Sequence, residues 1–181
     1  MEQIKLVFFL FGSFFGIEDS YIIAERTDVK IDTQNHVIDI YQKNVYTIIV
    51  SEEDSIAVSE ELFRIGNPAA KEKSFLWAEE LNSYACKTFD IRSDSENEKL
   101  DISLNLKYDT PEQLRDFAVN YVEEEGTYAI VNIESLNIET TTGELRGNYW
   151  YFKDEISFSI FPDTPNYPKT SLYEYWEKVK P

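Results

Sequence analysis

Two short stretches of strict apolar and polar alternation, each beside a run of turn-forming residues, restrict this chain to folds built on antiparallel hairpins. Val29 and Ile31 alternate with charged neighbours, Thr33, Gln34 and Asn35 interrupt, and the pattern resumes over residues 36–41. Further along, residues 89–92 read as extended, residues 93–98 (SDSENE) as a polar turn, and Ile102, Leu104 and Leu106 alternate again. A period of two sends successive side chains to opposite faces of a strand, so each stretch buries one face and wets the other. Two such strands joined by a short polar turn pair with each other. Residues 45–50 (VYTIIV), rich in β-branched types, read as one more strand.

Helical signals lie between and after these strands. Ser51, followed by Glu52, Glu53 and Asp54, places a capping hydroxyl and carboxylates where a helix N-terminus presents unpaired N–H groups, which predicts a helix over residues 52–64. Gly66 closes it, and Asn67-Pro68 opens a second whose apolar face includes Ala70, Trp77, Ala78, Leu81 and Ala85, with Trp77 as a core anchor. Thr110-Pro111-Glu112-Gln113 reads as a capping box ahead of a stripe of Leu114, Phe117, Ala118, Tyr121 and Val122. Leu172, Tyr175, Trp176 and Val179 fall at the spacing of a short terminal helix. Residues 128–133, the stretch around Ile138, residues 145–152 and residues 156–161 read as successive strands, the middle pair joined near Thr142 and Gly143. No internal repeat stands out. The class expected is α+β, a mainly antiparallel sheet built from hairpins and a C-terminal meander, packed with three to four helices.

At 181 residues, with 43% apolar and 28% charged types, the composition is that of a globular domain with one core rather than a disordered chain. The exception is the start. Residues 6–17 (LVFFLFGSFFGI) form an apolar run too short for the ~20 residues of a transmembrane helix. Its length matches the apolar region of an export signal, with Lys5 before it and Glu18, Asp19 and Ser20 after it. Residues 1–20 are therefore read as an export leader, residues 21–181 as a single α+β domain, and the periplasm or cell envelope as its destination. Glu2 offsets Lys5 and no small-residue cleavage site follows, so the alternative is a buried first strand in a cytoplasmic protein.

Acidic residues number 34 against 17 basic ones, a formal charge of -17 that repels phosphate backbones and argues against nucleic-acid binding. The same charge is read either as solubility alone or as a surface matched to a basic protein partner. Glu123, Glu124 and Glu125, just before Gly126, are expected at the C-terminal end of the third helix, where like charge meets the negative end of the dipole. Tyr149, Trp150, Tyr151 and Phe152 are contiguous, so in a strand they divide between two faces and at least two rings leave the core. The candidate binding residues are thus Tyr149, Trp150, Tyr151, Glu123, Glu124 and Glu125.

Signals for catalysis are weak. His36 and Cys86 are single representatives of their types, which removes the usual zinc ligand sets and makes a nucleophile–base pair depend on the fold bringing them together. Asp94, Glu96, Glu98 and Asp101 space oxygens along one loop, but Lys99 stands where a calcium loop needs glycine. No phosphate-binding or dinucleotide loop occurs, and no cofactor is expected. Asp154 and Glu155, beside the aromatic run, are the best placed pair for a carboxylate-dependent hydrolase. The leading expectation is a non-catalytic binding protein, exported to the cell envelope, with an acidic and aromatic surface. A cytosolic inhibitor or immunity-type protein and a small carboxylate hydrolase are the alternatives.

Overall fold

The structure is a computed structural model that describes residues 22–66, 84–117, 119–132, 137–161 and 168–180. Both expected hairpins form. Strands β1 (Ile23–Asp32) and β2 (Val37–Thr47) pair with Val29 opposite Ile40 and Ile31 opposite Ile38. Strands β3 (Cys86–Asp94) and β4 (Lys99–Lys107) pair likewise, and β4 joins β2, so the hairpins lie side by side. The alternation does what its period dictates: Val29, Ile31, Ile38, Ile40, Leu100, Ile102, Leu104 and Leu106 are buried, while Lys30, Asp39 and Asn105 between them are exposed.

Both hairpins close on the same turn. Asp32 accepts the N–H groups of Gln34 and Asn35 at 3.0 and 2.9 Å and the Asn35 side chain at 2.7 Å. Asp94 does the same for Glu96, Asn97 and the Asn97 side chain, at 3.0, 3.2 and 2.7 Å. His36 and Glu98 then take left-handed φ values of 57° and 52°. Residues 32–40 (DTQNHVIDI) and 94–102 (DSENEKLDI) coincide at aspartate, asparagine, aspartate and isoleucine, so a repeat that composition does not show is present at the turns. Tyr41 pairs with Ser103, its counterpart at the same offset, which relates the hairpins by a local two-fold axis.

Residues 45–47 do not begin a new strand. They continue β2 beyond Asn44, which has φ 49° and donates its N–H to Asp101 at 2.7 Å. Gln42 and Val45 are both buried although three residues apart, so the buried phase changes at this point.

The C-terminal strands divide between two sheets rather than forming a meander. Strands β7 (Ile138–Glu139) and β10 (Ile156–Ile160) extend the large sheet, whose order is β3-β4-β2-β1-β10-β7, and β11 (Thr170–Ser171) adds to β2. Strands β5 (Asn120–Val122), β6 (Thr127–Val131), β8 (Gly143–Arg146) and β9 (Tyr149–Phe152) make a small sheet ordered β5-β6-β9-β8. The sheets meet through Phe152 and Phe158, ring centroids 6.0 Å apart. Within the small sheet Gly143, the cross-strand partner of Phe152, leaves room for that ring, since a Cβ there would stand 2.7 Å from it.

Among the described residues there are two α-helices and one 3-10 helix, not three to four helices. Helix α1 (Glu52–Gly66) starts as its sequence requires: the Ser51 hydroxyl accepts the Asp54 N–H at 3.2 Å, and the Asp54 carboxylate accepts those of Val50 and Ser51 at 2.9 and 2.8 Å. It buries Val58 and Leu62; α2 (Tyr173–Val179) buries Trp176, and Leu172 just before it is also buried. The helix expected from Asn67, with its Trp77 anchor, and the leader at residues 1–20 lie outside the described residues.

The helix expected from Thr110 to Val122 is instead a 3-10 helix, Pro111–Phe117, followed by β5. Its cap is real: the Gln113 side chain accepts the N–H groups of Asp109 and Thr110 at 2.7 and 3.1 Å, and Leu114 and Phe117 are buried. Continuation fails because Tyr121 and Val122 favour a strand, with Tyr121 meeting Tyr128 across the hairpin at 5.0 Å. A helix through Val122 would also have placed three glutamates at its negative end.

Candidate functional site

Glu123, Glu124, Glu125 and Gly126 form the loop between β5 and β6, not a helix terminus. Gly126, at φ 62°, donates its N–H to the Val122 carbonyl at 3.0 Å and closes the loop. The three carboxylates are thereby clear of a helix dipole and are carried on the tip of a hairpin.

Strand β9 lies inside the small sheet, between β6 and β8, so its four aromatic rings divide as a pleated strand demands. Phe152 is fully buried, and Trp150 is half-buried against the core with its indole N–H donated to the Asn132 side chain at 3.0 Å. Of the three aromatic candidates, Trp150 is the one whose ring packs against the core. Tyr149 and Tyr151 occupy the opposite, outward face with ring centroids 6.4 Å apart. Tyr149 is 44% exposed, and its cross-strand partner Val131 is 43% exposed.

The turn at Gly147, φ 59°, pairs Arg146 with Tyr149 and Glu144 with Tyr151. Arg146 and Glu144 thus share the outward face. The Arg146 guanidinium donates to Glu125 at 3.0 Å and to Glu144 at 2.6 Å, and its carbon lies 5.2 Å from the centre of the Tyr151 ring. The hydrogen bond from Arg146 holds the Glu144 carboxyl below its usual range, and the same bond raises the guanidinium. Acidic loop and aromatic strand, separated by more than twenty residues in sequence, are brought together by this one side chain. Sequence reasoning missed Arg146 because residues 145–152 read as one strand. The signal that could have found it is Gly147-Asn148, a two-residue turn that folds Arg146 back beside the tyrosines.

The remaining candidates are dispersed. Asp154 and Glu155 are exposed, and Glu155 pairs with Lys30 at 3.1 Å. His36 stacks on Tyr108 with centroids 4.9 Å apart. The Asp94 oxygens are engaged by their own turn, whose Asn97 side chain is the main reason the carboxyl is held low. Among the described residues, no group of three or more His, Cys, Asp or Glu is arranged to hold a metal, and no helix is long and apolar enough to cross a membrane. A polar cleft of about 410 Å³ lies between the two helices and the β3–β4 turn, lined by Ser59, Glu98, Ser171, Glu174, Tyr175 and Lys178. The carboxyls of Asp32, Asp54, Asp94, Glu112 and Glu144 are each held low by hydrogen bonds.

Comparison of the chain with protein-family models, with curated proteins and with solved structures gives no match.

Proposed function

We propose that this chain is a non-catalytic binding protein that recognises a basic protein partner through the outward face of its small sheet. The observation that carries the reading is the convergence at Arg146: Glu125 of the acidic loop, Glu144 and the ring of Tyr151, next to the exposed Tyr149, meet at one side chain. Exposed tyrosine supplies large contact area at small entropic cost, and carboxylates around it attract positive charge and steer its approach. The overall charge of -17 extends that attraction beyond contact distance, with a range of about 8 Å at physiological ionic strength.

The test is capture of partner from native extract on immobilised protein, washed at rising salt, with Tyr149→Ala and Trp150→Ala alongside the wild type. Capture is expected to fall with salt and with Tyr149→Ala. Capture indifferent to both contradicts the reading.

We place the protein in the cell envelope, on the strength of the leader-like composition of residues 1–20. Intact mass of the natively expressed protein tests this, with loss of the first 20 or so residues expected. A native chain beginning at Met1 would instead favour a cytosolic inhibitor or immunity-type protein, which uses the same surface against a basic target.

A further inference from the structure

Arg146 shows what the outward face of the small sheet accepts. A guanidinium lies against one phenol ring of that face, 5.2 Å from its centroid, while carboxylates on two different elements take its N–H groups. Tyr149 offers a second ring on the same face, 6.4 Å from the first, and is the more exposed of the two, with Val131 beside it. Tyrosine rings in this chain take both cations, Lys169 Nζ lying 4.4 Å from the Tyr46 centroid. A flat, weakly hydrated guanidinium nevertheless covers more of the ring and keeps its donors free for carboxylates, as Arg146 does, whereas the ammonium meets the ring as a point charge.

We propose that this face recognises arginine in particular: the basic partner presents an arginine side chain that stacks on Tyr149 beside Arg146, within the field of Glu123, Glu124 and Glu144. The proposal rests on the basic-partner reading above and names the side chain that the surface selects. Charge alone does not distinguish arginine from lysine; the larger stacking area of the guanidinium on the ring favours arginine. Tyr149 is thus the specificity-determining residue, and the glutamates supply attraction common to both cations.

The test uses the full chain and two labelled peptides of equal length and charge, hexa-arginine and hexa-lysine, titrated at low salt with fluorescence anisotropy as readout. The arginine peptide is expected to bind about fivefold tighter, the size of one exposed cation–π contact. Tyr149→Ala should bring the arginine peptide down to the lysine level and leave the lysine affinity unchanged, whereas Tyr149→Phe, which retains the ring, should keep the preference. Equal binding of the two peptides by the wild type, or a preference that survives Tyr149→Ala, overturns the arginine inference while leaving the basic-partner reading intact. Failure of both peptides to bind at low salt overturns both.

Discussion

At the scale of single residues, the two-residue period of a strand decides which aromatic ring does what. Tyr149 and Trp150 are neighbours in sequence and alike in size, yet one is exposed at 44% and the other packs on the core with its N–H satisfied by Asn132. Substituting them should therefore separate binding from stability. Trp150→Ala, which removes a half-buried ring, is expected to cost about 2–4 kcal/mol in chemical denaturation. Tyr149→Ala should stay within about 0.5 kcal/mol of the wild type, as surface changes do, while lowering capture of the partner. Comparable stability losses at the two positions would contradict the assigned faces. That the rings must divide was legible from four contiguous aromatics; which pair faced outward was not, because it depends on Phe152 meeting Phe158 of the other sheet. Arg146 was illegible for a related reason, as its partners Glu125 and Tyr151 are fixed by strand pairing and not by spacing.

At the scale of elements, local signals are reliable where they also close their own hydrogen bonds. Alternation flanked by Asp-x-x-Asn turns sufficed to place both hairpins, since each aspartate satisfies the backbone of its own turn. The cap at Gln113 was legible too, but the length of the helix behind it was not, because Tyr121 and Val122 gain more from pairing with β6 than from continuing the turn. The paired turns carry a pH prediction. Hydrogen bonds from the Asn35 and Asn97 side chains hold the Asp32 and Asp94 carboxyls below their ordinary 3.8. A carboxyl lowered in the folded state stabilises the fold above its unfolded value, and that contribution is lost as pH falls through the folded value. Denaturant titrations at stepped pH should show full stability above about pH 4 and a decline below pH 3.8, with a shallower decline in Asp32→Ala and in Asp94→Ala. An acid limb identical in wild type and both variants would exclude these turns as its source.

At the scale of the whole molecule, residues of both sheets and both helices share one buried core, in a chain with twice as many acids as bases. Composition made that excess plain and the order of hairpin and helix signals made the α+β class readable, whereas the division of the C-terminal strands between two sheets arises from strand pairing. Self-repulsion at a charge of -17 should make the free protein more stable as salt rises, by screening, while the complex with a basic partner weakens over the same range. Thermal unfolding and partner affinity measured across one salt series should therefore move in opposite directions; a melting temperature that falls with added salt would show that repulsion is not the dominant surface effect. The central claim, that partner binding uses the outward face of the small sheet, is tested most directly by covalent side-chain footprinting of the captured complex. Tyr149, Tyr151 and the carboxylates of Glu123, Glu124 and Glu125 are expected to lose labelling on binding, while Tyr41 on the large sheet and Tyr175 beside the helical cleft keep theirs. Protection of Tyr41 or Tyr175 with Tyr149 still labelled would place the interface elsewhere and contradict the claim.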